Sequence, residues 1–160
     1  MNLLAIDLGV KTGLACWDVE QRKLLWCRSH NYGSKKQVAK AAPGVLLSAG
    51  DPGILVLEGD GDIALIWKQA GNRWGWDTRI LHAEEWRKNL FYESEWQYTS
   101  DLKNLAINYA HKAALWGGMK VAGRLNHNAA EALLAGLWVL LEQNPEANLP
   151  WPMPWVQRSK

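Results

Sequence analysis

The sequence predicts an α/β fold built on one mixed five-stranded sheet, three antiparallel strands followed by parallel ones, with helices on both faces. Three observations carry this. The first thirty residues hold short apolar runs joined by links too brief for a crossover, which makes an antiparallel meander. The rest of the chain alternates helical stretches with further apolar runs, the pattern of parallel strands with crossovers. A chain of 160 residues, 48% apolar and 21% charged, is long enough and apolar enough to close one core.

Residues 2–8 read as a buried strand, and 12–18 and 22–29 as two more around the polar turn Asp18-Val19-Glu20-Gln21. The Lys-bearing stretch 34–48 has helical character and is expected to break near Pro43-Gly44. Asp51-Pro52-Gly53 is a turn, and Ile54-Leu55-Val56-Leu57 is apolar throughout, as a central strand requires. A helix over 62–70, a strand over 78–81, and helices over 83–90 and 101–116 follow. The last helix is expected over 128–142, stopped by Asn144-Pro145. The division expected is a domain over 1–145 and a Pro/Trp-rich tail over 146–160, which cannot be helix interior. Right-handed crossovers allow the first and fourth strands to be neighbours with their carboxyl ends side by side.

A net charge of +2 and a pI near 8.5 neither announce nor exclude a nucleic-acid partner, so any binding charge must be local. Cys16 and Cys27 are too few for a metal cluster and do not face each other across their hairpin. With no export signal, reduced thiols in a cytoplasmic protein are expected. The longest apolar stretch, 129–141, contains Glu131 and is too short to span a bilayer, so no membrane partner is expected. Eleven tryptophans must mostly serve core or interface.

Asp7 ends the run Leu3-Leu4-Ala5-Ile6 and meets Leu8-Gly9-Val10-Lys11-Thr12-Gly13 at once. An acid before glycine is ordinary turn chemistry, but an acid at a buried strand end usually meets a cation or a donor. Glu58 repeats the pattern after Val56-Leu57, on the strand expected beside the first. Glu131 stands in an apolar helix start with His127 four residues earlier, on the same helical face. Two readings compete there. Asn128 to Glu131 has the spacing of a capping box, whereas acids converging from three elements suit a hard divalent cation.

These segments together resemble the RuvC-type Holliday junction resolvases of the RNase H-like superfamily, particularly the compact phage-borne members. The segments are Asp7 to Gly13, the strand ending in Glu58-Gly59, and His127-Asn128-Ala129-Ala130-Glu131-Ala132-Leu133-Leu134. Between them, Ala70-Gly71, Trp74-Gly75, His82 to Lys88 and Asp101-Leu102-Lys103 keep the family's order, so the resemblance covers nearly residues 2 to 142. One departure stands out: Asn128 replaces the Asp of many relatives. Its carbonyl oxygen can ligate but brings no charge, and His127 is the candidate for the missing function.

The resemblance implies metal-dependent phosphodiester hydrolysis leaving a 5′-phosphate and a 3′-hydroxyl, with two Mg2+ or Mn2+ ions per site. It makes Asp7, Glu58, His127 and Glu131 catalytic, with Asn128 as a further metal ligand. Lys11, Trp86, Arg87, Lys88 and Lys103 match positions near DNA, with Trp86 expected to pack rather than to stack on a base, while Lys35, Lys36 and Lys40 form a second small basic group. Asp60 and Asp62 read more easily as loop and N-cap residues. Branched DNA, a four-way junction above all, is the implied partner, and a homodimer suits its two-fold symmetry. Other readings are a related RNA-processing nuclease and a non-catalytic DNA-binding protein on the same fold. Actin-like and sugar-kinase-like ATP binders also open with Asp-x-Gly, but they need a second large domain.

Overall fold

The chain, described over residues 1–96 and 101–155 in a computed structural model, forms a single sheet ordered β3-β2-β1-β4-β5. Its strands are β1 (Asn2–Asp7), β2 (Lys11–Asp18), β3 (Lys23–Asn31), β4 (Ile54–Glu58) and β5 (Asp77–Leu81). The first three pair antiparallel, and β1–β4 and β4–β5 pair parallel. The helices are α1 (Lys35–Ser48), α2 (Gly61–Arg73), α3 (Ala83–Leu90), α4 (Glu93–Trp96), α5 (Leu102–Trp116) and α6 (His127–Gln143). The expected mixed sheet with helices on both faces is the fold observed.

Alternation along the central strands divides the core in two. Leu4, Ile6, Leu14, Cys16, Leu55 and Leu57 face α1 and α2, where they meet Val38, Leu46 and Trp67. Leu3, Ala5, Ala15, Trp17 and Val56 face α5 and α6. Cys16 and Cys27 are both free and belong to opposite faces, their register partners being Trp26 and Ala15. α6 is buried without interruption from Ala129 to Leu141, because the sheet covers one side and α5 with the tail covers the other. Burial of its leucines, at roughly 2 kcal/mol each, is what fixes this helix against the sheet.

Two elements depart from expectation: the short α4, which was not anticipated, and α1. α1 runs through Pro43 without a break. The amide Pro43 lacks would have served the carbonyl of Ala39, and both residues border a shallow surface hollow where water can serve that carbonyl instead. The described part of the tail packs on the α6 side: Met153 is buried, Trp155 stands edge-on to Trp138, and Trp116 Nε1–H donates to the Asn148 carbonyl. Residues 156–160 of the expected tail lie outside the described residues. Trp17, Trp67, Trp76, Trp86 and Trp138 are buried, in keeping with tryptophan as core material. Among the described residues no helix is long and apolar enough to cross a membrane.

Candidate active site

Asp7 and Glu58 are the last residues of adjacent parallel strands and are register partners. The turn after Asp7 is closed from within: Thr12, fully buried, donates its hydroxyl to the Gly9 carbonyl at 2.7 Å. Gly13 pairs with Asp7 across the hairpin. A methyl group there would lie 1.8 Å from the carbonyl oxygen of Asn128. Only glycine lets the first turn of α6 rest directly on β2, and that contact carries Glu131 to the strand ends.

The start of α6 rules out one of the two readings of Glu131, the capping box. The N-cap is Asn126, whose side chain accepts from the Asn128 amide at 2.8 Å. The capping box expected from Asn128 to Glu131 is therefore absent, and Glu131 lies beyond the residues that need a cap. Glu131 instead turns inward, 3% exposed. His127 Nε2 lies 2.8 Å from its Oε1, and the Arg87 guanidinium reaches both oxygens at 3.1 and 3.3 Å. Asn128 is not with the acids: it lines a small polar hollow with Lys11, Ser29, His30, Asn31 and Asn126.

Glu58 is buried and accepts a 2.6 Å hydrogen bond from Trp86 Nε1–H. Burial, then repulsion from Glu131 and Asp7, pushes its carboxyl up to about 8 against the pull of that bond and of Arg87. Asp7 is pushed up to about 7, by burial first and by Glu131 second, with Arg87 opposing. Three carboxylates from three elements thus share one electrostatic site. Among the described residues, no three His, Cys, Asp or Glu side chains close around one point as a finished metal cage. The donor set nevertheless fits a hard divalent ion: carboxylate oxygens with one imidazole, on strand and helix ends, with the charged forms of Asp7 and Glu58 made costly by burial beside Glu131.

The expected DNA-facing residues separate. Trp86 has no exposed surface, so it cannot stack on a base, and its place is inside, edge-on to Phe91 with its N–H on Glu58. Arg87 is mostly covered and engaged with Glu131. Lys103 joins Arg87, Asp101, Leu102, His127 and Glu131 around a cavity of about 340 Å³ that opens beside the acids. Lys88 is exposed on α3 and Lys11 exposed near Asn128, neither of them lining that cavity. Asp60 occupies the N-cap position of α2, and Asp62 pairs with Lys35 at the surface. Packing of Trp86 was the expectation and holds; what sequence reasoning missed is the hold of Trp86 on Glu58 and of Arg87 on Glu131. The available signal was a Trp-Arg pair on the short helix directly after β5, the strand beside Glu58.

A sheet in this order, with acids ending its two central parallel strands and a buried helix laid across them, is the RNase H-like architecture. Among solved structures the chain is similar to RuvC of Thermus thermophilus, with TM-score 0.64 and 16% identity over 91% of this chain and 97% of that one. It is likewise similar to the T. thermophilus RuvC solved in complex with a Holliday junction substrate, with TM-score 0.63 and 18% identity over 92% and 98%. No family model and no curated protein matches the chain. At these identities the likeness is one of fold, and at that level the resemblance read from the sequence holds.

Proposed function

We propose that the chain is a metal-dependent endodeoxyribonuclease that resolves four-way DNA junctions. The observation that carries this is the convergence of Asp7, Glu58 and Glu131 from β1, β4 and α6 at one end of the sheet, with His127 on Glu131. Asp7, Glu58, Glu131 and His127 would hold magnesium or manganese. Such ions, when bound, supply an activated attacking water and stabilisation of the leaving oxygen. The chain's own residues do the rest. Trp86 fixes the orientation of Glu58, and His127 fixes that of Glu131. Lys103, at the rim of the adjoining cavity, offers a cation to the phosphate backbone. The fold likeness to a protein solved on a Holliday junction favours branched DNA over other nucleic acids, and a homodimer would pair the two nicks.

The test is cleavage of synthetic four-way, flap, duplex and single-stranded DNA and of structured RNA, in magnesium or manganese, with Asp7→Asn and His127→Ala alongside. Metal-dependent nicking of the four-way substrate, lost in Asp7→Asn, is the expected result. Junction binding without any cleavage would favour a non-catalytic binder, and preferential cleavage of RNA would favour a processing nuclease. Normal cutting by Asp7→Asn would refute the site.

A further inference from the structure

We propose that Arg87 is a resident counter-cation: its guanidinium holds the place of positive charge among Asp7, Glu58 and Glu131 in the metal-free protein, and it must yield that place when a divalent ion binds. The inference rests on the metal-centred reading above and concerns a residue of this chain rather than the ion.

Three observations meet on this side chain. Its NH2 nitrogen bonds both oxygens of Glu131, at 3.1 and 3.3 Å, so each oxygen of the acid that α6 delivers to the site is already engaged by a cation. Its Cζ lies 5.3 Å from the centre of the Trp86 ring, whose N–H holds Glu58, so the guanidinium is wedged between an indole tethered to one acid and the carboxylate of another. Its Nε–H is buried and has no partner among the described residues. A buried donor left open is costly, and a guanidinium settled permanently in a structural ion pair would ordinarily avoid it.

Arg87 is also the cation felt by the other two acids, since its charge opposes the burial of both Asp7 and Glu58. One positive charge therefore serves three carboxylates. That is enough to hold the acids near one another and too little to neutralise them, and a doubly charged ion would neutralise them better. The cavity that Arg87 and Lys103 line is open beside it and gives the displaced guanidinium somewhere to go.

The test reads metal binding itself. Mn2+ affinity is measured by calorimetry and by the loss of the free-ion paramagnetic signal, on wild type, Arg87→Met, Arg87→Lys and Arg87→Ala, without DNA. Competition predicts that Arg87→Met binds Mn2+ at least tenfold more tightly than wild type, with a lower metal-free Tm, and that Arg87→Lys falls between. Millimolar guanidinium added to Arg87→Ala should weaken Mn2+ binding back towards the wild-type value. A merely structural arginine also predicts the lower Tm, but not the tighter Mn2+ binding, the intermediate Arg87→Lys value or the competition by guanidinium. In wild type, the Arg87 Nε–Hε resonance should shift on saturation with Mg2+, a readout independent of whether any variant folds. Unchanged or weaker Mn2+ binding in Arg87→Met, or an Arg87 resonance indifferent to Mg2+, overturns the proposal. Absence of metal binding in every protein overturns it together with the metal-centred function. Tight binding with the predicted competition but no cleavage of any nucleic acid upholds it and removes only the nuclease reading.

Discussion

Stripped of divalent ions, the protein should lose stability as pH rises from about 5.5 to 8.5, with Asp7 and Glu58 as the main cause. In the fold the Asp7 carboxyl stands at about 7 against an ordinary 3.8, and Glu58 at about 8 against 4.5. The folded protein thus holds both protons more tightly than the unfolded chain does. Their contribution is fully present below about pH 4 and is lost progressively as pH climbs through 7 and 8. Each pKa unit is worth about 1.4 kcal/mol. From about pH 5.5 upward, Asp7 accounts for about 2 kcal/mol and Glu58 for about 3.5. Both include repulsion from the same Glu131 charge, so the combined loss is on the order of 4 kcal/mol rather than their full sum. Urea denaturation in EDTA across this range measures it. The Glu58→Gln variant keeps an oxygen for the Trp86 N–H but cannot ionise, so only the Asp7 share remains and its profile should be flatter by about 2 kcal/mol. Magnesium should reverse the wild-type trend, because the ion takes the ionised ligands. Parallel pH profiles for wild type and Glu58→Gln in EDTA would refute the reasoning.

Three other outcomes follow from the same geometry. Gly13→Ala would drive a methyl group to 1.8 Å from the Asn128 carbonyl, so α6 must lift from β2; a Tm loss equivalent to about 3 kcal/mol is expected in thermal denaturation. Trp86→Phe keeps most of the packing but leaves Glu58 without its donor; kcat on a four-way junction should fall roughly 10–100-fold, with DNA affinity, read by gel shift, unchanged. Burial pushes the thiols of Cys16 and Cys27 up to about 12, so a thiol-reactive dye at about pH 8 should label them only after denaturation.

The frame of the molecule was legible because its signals are local. A fully apolar run such as Ile54 to Leu57 has few alternatives to a central strand, and links as short as those between the first three strands allow only antiparallel pairing. Two acids placed directly after such runs come together once the runs pair in parallel, and Asp7 and Glu58 do. Pro43 was misleading for a physical reason: its cost to a helix depends on whether the carbonyl it strands can reach water, and the sequence is silent on which face of α1 is wet.

The last helix shows why the rest of the site needed the tertiary structure. Asn126 and Asn128 are equally good N-cap residues, and choosing either sets the register of everything after it. With Asn128 as the cap, Glu131 becomes a capping partner and the site loses its third acid. With Asn126 as the cap, His127 is the first helical residue and shares a face with Glu131. What selects Asn126 is a contact far away in sequence, the backbone of Asn128 seated on Gly13 of β2. The bonds of Trp86 to Glu58 and of Arg87 to Glu131 stayed hidden in the same way. Nothing local separates a basic-aromatic pair that faces DNA from one that turns inward to hold two buried carboxylates. That distinction is made by the position of α3 beside the ends of β4 and α6, where Glu58 and Glu131 each need a donor and the consecutive residues of one short helix provide both.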